Sequence, residues 1–273
     1  MLGFSKKSNK EKANKIFTKS TGYHTYDIAT CSLIHDGFTN ISYRYKLENG
    51  NEYQIRIGND QEFINRKNEK LFLDSIGNKD YISFDTKNGN AVKKWIIGKN
   101  PDEKTSGKIS FLNKLNKSIE KLHTNKLNKQ ILYQDFGEFF EKSSLEPEIK
   151  SKYLSLLETF RKDKLVMSHN DINPANTLII GNNQIYFIDY EWARINYYWW
   201  DITNYIREVN LPLWKTYIFC LLNNISFKQM KQRLFVCTCF AYQWTFYMQQ
   251  TDKIVKYQKE VKKLMEYYFK KVK

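Results

Sequence analysis

Residues 165–190 constrain this chain more than any other stretch, because two acidic centres are held there in register by three short apolar runs. Leu165-Val166-Met167 leads into a polar loop, Ser168-His169-Asn170-Asp171-Ile172-Asn173-Pro174-Ala175-Asn176. Thr177-Leu178-Ile179-Ile180 leaves the loop, Gly181-Asn182-Asn183 turns, and Gln184-Ile185-Tyr186-Phe187-Ile188 returns to deliver Asp189 at a strand end. Short apolar runs bounded by Gly, Asn and Asp are strand and turn signals, so the spacing predicts strand, loop and hairpin. Asp, Asn and Gly favour turns in any protein, and ordinary turn residues are the alternative reading. A His, two Asp and an Asn set in register across a braced loop are more than a turn requires.

The spacing carries a specific chemistry. Asn176 lies five residues after Asp171, and Asp189 eighteen after it. Phosphoryl transfer needs one carboxylate to orient the attacking hydroxyl and take its proton. It also needs an amide oxygen and a second carboxylate to hold magnesium on the phosphates of ATP. Protein kinases write this as H-R-D-x-x-x-x-N followed by D-F-G. This chain reads H-N-D-I-N-P-A-N followed by D-Y-E. Asp171 and Asn176 are the expected catalytic residues, with Asn176 and Asp189 as metal ligands.

Two further runs extend the pattern: Phe187-Ile188-Asp189-Tyr190-Glu191-Trp192 and Asn196-Tyr197-Tyr198-Trp199-Trp200-Asp201-Ile202-Thr203-Asn204. Together with the loop they resemble the signatures of the choline/ethanolamine kinase family, particularly its short bacterial choline kinases. That family belongs with the aminoglycoside phosphotransferases in a protein-kinase-like superfamily. The resemblance implies an α+β, protein-kinase-like two-lobed fold. An N-lobe over 1–97 would pair an antiparallel β-sheet with one helix, and a mostly helical C-lobe over 98–273 would carry the catalytic loop. It further implies ATP and Mg2+ as cofactors, choline as the favoured small-molecule amino alcohol, and phosphocholine for phospholipid metabolism or surface decoration as the product.

Periodicity along the chain agrees with two lobes. Residues 5–19 form a loose or helical lead-in. Strands are expected over Thr30–Ile34, Ile41–Lys46, Glu52–Ile57, Tyr81–Phe84 and Ala91–Ile97, with turns at Asn49-Gly50 and Asn88-Gly89 and a helix over about Gln61–Ser75. Ile109, Leu112, Leu115, Ile119 and Leu122 then recur at steps of three and four, as do Tyr153, Leu156, Leu157 and Phe160. After Asp201 the chain reads mostly helical, with Pro212 marking a break. The lobes would meet near Trp95–Gly98, with an ATP cleft between them.

On the nucleotide side, Asp36-Gly37-Phe38-Thr39-Asn40 falls where kinases place a glycine-rich phosphate loop. Gly37 permits close backbone approach, and Thr39 and Asn40 add side-chain donors; an ordinary β-turn is the alternative. Arg56 takes the place of the kinase third-strand lysine, with a planar fork suited to phosphate oxygens, although a solvated strand charge would read the same way. Its expected partner is Glu69, which matches the R-x-x-E position of the resemblance, with Glu62 as a substitute. Trp95-Ile96-Ile97 would form the hinge, giving backbone groups and an apolar wall to adenine.

On the acceptor side, a quaternary ammonium donates no hydrogen bond and is held by aromatic faces plus a carboxylate. The resemblance assigns Tyr197 to the pocket wall. Glu191 lies two residues past the metal acid, and Trp244-Thr245-Phe246-Tyr247 resembles the family's W-x-x-W stripe. Either Ala241 replaces the first tryptophan or Tyr247 replaces the second, so the stripe departs from the pattern in both registers. Aromatic residues make up 16% of the chain, and most of them must be core. Asp201 is expected to brace the catalytic loop rather than to touch substrate.

The net charge of +15 raises nucleic acid or anionic membrane as partners. Lys and Asn are abundant throughout, as are Ile, Tyr and Phe, and no nucleic-acid module accompanies them, so nucleic acid is not an expected partner. A basic surface could still attract ATP or lie against anionic lipid. No apolar run approaches the ~18–20 residues of a membrane helix, so no transmembrane segment is expected. Met1–Lys7 has no apolar core of a secretory signal, and the four cysteines form no C-x-x-C pair. Reduced cysteines and a cytoplasmic location follow. Three alternatives stay open: ethanolamine as acceptor, another alcohol such as an aminoglycoside or thiamine, and a catalytically silent kinase-like domain that binds nucleotide or a partner.

Overall fold

The structure, a computed structural model, describes residues 2–36, 40–59, 63–143 and 145–272. The chain divides into two compact units, Met1–Ile97 and Gly98–Lys273. The first opens with a helix, α1 (Leu2–Thr21), followed by strands β1 (Ile28–Asp36), β2 (Asn40–Leu47) and β3 (Glu52–Gly58). Helix α2 (Arg66–Ser75) precedes β4 (Tyr81–Phe84) and β5 (Ala91–Lys94). The strands form one antiparallel sheet in the order β1-β2-β3-β5-β4.

Alternation along β2 and β3 decides which face of this sheet is covered. Tyr43 and Tyr45 lie across from Ile55 and Tyr53, and these four are buried with Leu47 in one cluster with Ala13 and Phe17 of α1. Phe17 meets the rings of Tyr45 and Tyr53 at 5.2 and 5.5 Å. The lysine-rich lead-in is therefore a full helix docked on the sheet. Two boundaries differ from expectation. Asn65 caps α2 by accepting the Asn68 N–H at 2.9 Å, so that helix starts at Arg66 rather than near Gln61. Strand β5 stops at Lys94 because the last ladder bond, Trp95 N–H to Glu52 O at 2.9 Å, ends the pairing before Ile97.

The second unit begins with helices α3 (Glu103–Ser106), α4 (Ile109–His123) and α5 (Pro147–Phe160). Strands β6 (Leu165–Ser168), β7 (Thr177–Ile180), β8 (Gln184–Phe187) and β9 (Arg194–Tyr197) follow, then α6 (Trp200–Glu208), α7 (Leu213–Leu222), α8 (Phe227–Trp244) and α9 (Asp252–Val272). Strands β7 and β8 form the expected hairpin around Gly181–Asn183, while β6 pairs antiparallel with β9. The apolar stripes of α4 and α5 are buried at Leu112, Leu115, Ile119, Tyr153, Leu156 and Phe160. Pro212 sits at the N-cap of α7 and separates it from α6. Among the described residues no helix is long and apolar enough to cross a membrane.

Close backbone approach fixes the base of the catalytic hairpin. Lys99 and Ile179 exchange two backbone hydrogen bonds of 3.1 and 2.8 Å. A Cβ on Gly98 would stand 2.9 Å from Ile180 Cγ2 and 3.1 Å from Leu178 Cβ, so only glycine allows this approach.

Phe17 is fully buried and carries the contact between α1 and the sheet. Phe17→Ala is expected to destabilise the Met1–Ile97 unit by about 3–5 kcal/mol in urea unfolding. A loss below 1 kcal/mol would mean that α1 adds little to that core.

Candidate active site

In the first unit, a buried carboxylate organises two arginines. Glu69, wholly buried on α2, accepts the Arg56 guanidinium through both oxygens at 2.6 and 3.2 Å, and Arg66 Nη1 at 2.9 Å. Arg56 Nε also donates to Gly89 O at 2.9 Å, and its guanidinium carbon lies 5.0 Å from the centre of the Phe84 ring. Gly89, at a φ of +75°, leaves room for this cluster, since a Cβ there would stand 2.3 Å from Arg66 Nε. Arg66 Nη2 donates to the Asn40 side chain at 2.8 Å, which keeps Asn40 buried at the start of β2. Gly37, Thr39 and Glu62 lie outside the described residues. The Trp95 ring is covered by the Arg44 guanidinium at 4.5 Å. Ile97 is 85% exposed, and neither Ile96 nor Ile97 makes a backbone hydrogen bond among the described residues.

In the second unit, Asp201 in the first turn of α6 anchors the catalytic loop. One carboxylate oxygen accepts the Asn170 N–H at 2.8 Å; the other accepts the His169 N–H at 3.1 Å and His123 Nε2 at 2.9 Å. Asn170 is held in the left-handed region at a φ of +67°. Its remaining polar atoms are all engaged: with Gln134 at 3.0 Å, Asn196 at 2.9 Å and the Trp200 indole N–H at 3.1 Å. The expectation for Asp201 thus matches the geometry, while Gln134, Asn196 and His123 add supports that motif spacing does not reveal.

His169 links the two acidic centres. Its Nε2 lies 3.0 Å from Ile188 O, and its Nδ1 accepts the Asp171 N–H at 3.4 Å. A carbonyl only accepts, so Nε2 carries the proton and the ring is neutral. Burial favours that form and lowers the imidazole pKa. The Ile188 N–H donates to Asn176 O at 3.0 Å. Asp189, next in sequence, also has a φ of +67°. Left-handed residues beside both acids are the kind of backbone strain that gathers at functional sites.

Asp171 faces both asparagines of its loop. Asn173 Nδ2 donates to Asp171 Oδ1 at 3.1 Å, and Asn176 Nδ2 donates to Oδ2 at 2.7 Å. The turn itself is made by Asn173, whose Oδ1 accepts the Asn176 N–H at 3.0 Å. Asn176 Nδ2 also donates to the Asp171 backbone carbonyl at 3.0 Å, so the same amide that meets the carboxylate helps to close the turn. Asn100 closes the far side by donating its amide to the carbonyls of Pro174, Ala175 and Thr177 at 3.0, 2.8 and 3.0 Å.

Carboxylates crowd this loop. Burial raises the Asp171 pKa well above the ordinary carboxylate range, and the charges of Glu208, Asp189 and Glu191 raise it further, against a hydrogen bond from Asn173 that lowers it. Glu208 is the site residue that motif reading passes over, although it shares a face of α6 with Asp201, seven residues earlier. Arg207 pairs with Glu208, and the Tyr257 hydroxyl donates to Glu208 at 3.1 Å. Trp244 meets Tyr257 edge-on at 6.3 Å, which brings it one ring away from that carboxylate. The other expected acceptor-side aromatics belong to a continuous ring layer: Tyr197 stacks on Phe136 and Trp199, and Tyr247 packs on Phe139. Glu191 is buried two residues past Asp189.

Among the described residues no group of three or more His, Cys, Asp or Glu side chains suits a metal ion. Magnesium does not need one, because it binds through one or two carboxylates together with substrate phosphates and water. Asn176 gives its amide nitrogen to Asp171, which leaves its carbonyl oxygen directed away from that carboxylate. An amide oxygen at Asn176 and a carboxylate at Asp189 fit an ion that arrives with a nucleotide.

The antiparallel sheet, the helical second unit and the loop define an α+β fold of the protein-kinase-like class. Known structures share it. A choline kinase from Streptococcus pneumoniae superposes with a TM-score of 0.73 at 17% identity, covering 93% of this chain and 99% of that one. An ethanolamine kinase from Plasmodium vivax gives 0.70 at 18% identity over 86% and 82%. A spectinomycin phosphotransferase crystallised with ADP and spectinomycin gives 0.59 at 15% identity over 95% and 97%. In sequence, an uncharacterised protein of Mycoplasma pneumoniae is 31% identical over 250 residues, covering 89% of this chain and 87% of its own. The profile of the choline/ethanolamine kinase family matches residues 31–270. The chain belongs to the choline/ethanolamine kinase family.

The Asp201 anchor has a measurable weight. His123 and the His169 and Asn170 N–H groups outweigh burial and hold the Asp201 carboxyl below its ordinary pKa. A depressed carboxylate stabilises the fold above the unfolded value of about 4, and that contribution is lost as pH falls through the lower folded value. Asp201→Asn is expected to cost about 3–5 kcal/mol at neutral pH. The gap from the unmodified protein should close in acid, and a gap independent of pH would remove the carboxylate charge from the anchor.

Proposed function

We propose that the protein is an ATP- and magnesium-dependent choline kinase. The observation that carries this reading is Asp171, hydrogen-bonded to Asn176 at 2.7 Å and facing the charges of Asp189, Glu191 and Glu208. Such a site attracts cations, although the chain as a whole has a net charge of +15. In this reading Asp171 accepts the choline hydroxyl proton as the oxygen attacks the γ-phosphorus. The bond from that phosphorus to the bridging oxygen breaks, ADP leaves, and phosphocholine forms. Asn176 and Asp189 would hold magnesium, which when bound neutralises charge on the phosphate oxygens.

The remaining assignments follow the same reading. Arg56, fixed by Glu69, contacts phosphate oxygens, with Gly37, Thr39 and Asn40 on the phosphate loop. The backbone of Ile97 and its neighbours takes the adenine edge. For the acceptor, Glu208 and Glu191 supply negative charge and Trp244 an aromatic face, with Tyr197 and Tyr247 in the flanking ring layer. The four cysteines are free thiols, which suits a reducing cytoplasm. Ethanolamine is the second reading, favoured by the same carboxylates, because a primary ammonium can hydrogen-bond to Glu208 where choline cannot.

Asp171→Asn is expected to keep magnesium-dependent ATP binding by calorimetry and to lose turnover by roughly 10²–10⁴-fold. Normal turnover would remove Asp171 from the mechanism. Asp189→Ala should instead weaken nucleotide binding only when magnesium is present. An ATPase-coupled assay across choline, ethanolamine and aminoglycosides ranks the acceptors, and no acceptor-dependent turnover would favour a silent domain.

A further inference from the structure

Helix α7 is apolar on both sides, and the fold uses only one of them. Thr216, Phe219 and Cys220 are buried toward α4 and α8. The opposite side presents Trp214, Tyr217, Ile218, Leu221 and Leu222, at steps of three and four along one helical stripe. Trp214, Leu221 and Leu222 are 63%, 59% and 60% exposed. An apolar stripe of this size on a surface marks an interaction site, since scattered single residues would not align.

Charge around the stripe selects its partner. From Val209 to Thr251 the chain contains no Asp or Glu, while Lys215, Lys228, Lys231 and Arg233 fall within it. Lysines stand over rings at the edge of the stripe: Lys215 Nζ is 5.6 Å from the Trp214 ring centre, and Lys231 Nζ is 5.1 Å from that of Phe227, itself edge-on to Tyr217. A groove continues the surface from Leu213 to Glu260, Lys263, Leu264 and the exposed Tyr267 of α9, with one acid and one lysine along it. Apolar and aromatic side chains on one face of a helix that itself carries no acid, with lysine at the edge of the stripe, are the composition of a helix lying in a membrane interface. A second copy of the chain fits less well, because a two-fold contact of α7 with itself would set Lys215 against Lys215, and α7 carries no carboxylate to pair them.

We infer that the exposed stripe of α7 is a docking face for the surface of an anionic lipid bilayer. Trp214, Leu221 and Leu222 enter the headgroup–acyl boundary, and Lys215 and Lys231 reach the lipid phosphates. The helix lies in the plane of the interface and spans nothing.

The test is co-sedimentation of the full chain with phosphatidylcholine–phosphatidylglycerol vesicles, against vesicles of phosphatidylcholine alone. Binding is expected to the mixed vesicles and to fall as salt rises. The double variant Trp214→Ser/Leu221→Ser should bind about tenfold more weakly while keeping its turnover, which also shows that it is folded. The charge variant Lys215→Glu/Lys231→Glu should lose preference for the anionic vesicles. No binding to mixed vesicles, binding undiminished in the double variant, or a solution dimer that the double variant dissociates would each overturn the inference.

Discussion

One buried carboxylate sets the geometry of the loop that carries Asp171 and Asn176. Asp201 reaches from the first turn of α6 to two successive backbone N–H groups of the loop and to the last residue of α4. That triple contact holds Asn170 in a left-handed conformation, and the turn then aims Asp171 at Asn173 and Asn176. His169, held in the same grip, passes the constraint to Ile188 and so to Asp189. Two-stranded sheets flank the loop, β6 with β9 before it and β7 with β8 after it, and between them the loop carries no strand. Its order comes from side-chain amides on every flank, and catalysis by positioning depends on such order.

The second constraint is electrostatic. A chain rich in lysine places Asp189, Glu191 and Glu208 where their charges raise the cost of ionising the buried Asp171. Mutual repulsion of this kind is unfavourable in the empty protein and is relieved by positive charge. Magnesium on one side of Asp171 and an ammonium on the other would relieve it from both directions. On the proposed reading, the site gives up stability for the capacity to collect two cations. In the first unit the balance is reversed, with two arginines on the single carboxylate of Glu69, an arrangement suited to anionic phosphates.

What the sequence made legible follows from how local each feature is. Asp171, Asn176 and Asp189 lie on one strand–loop–hairpin, so spacing alone brings them together. Arg56 and Glu69 sit in neighbouring elements and were likewise readable. Strand β9 was not, because Arg194–Tyr197 is only four residues long and is held between distant partners, β6 on one side and Leu132–Gln134 on the other. Asn100, Gln134 and Asn196 were hidden by an asparagine-rich composition in which no single amide stands out. Glu208 required knowing that α6 runs unbroken from Asp201, which places the two acids on one face two turns apart. Trp244 and Tyr247 looked interchangeable in the motif; the fold separates them, one toward Tyr257 and the other toward Phe139.

Cation selection is the central claim, and the most direct test compares choline with 3,3-dimethyl-1-butanol, its uncharged carbon isostere, as phosphate acceptors. The two alcohols share shape and reacting hydroxyl and differ in charge. The account predicts that kcat/KM falls by roughly 10²-fold or more for the isostere, the loss of a desolvated cation contact. Equal kcat/KM for the two would contradict it, since the carboxylates around Asp171 would then play no part in choosing the acceptor.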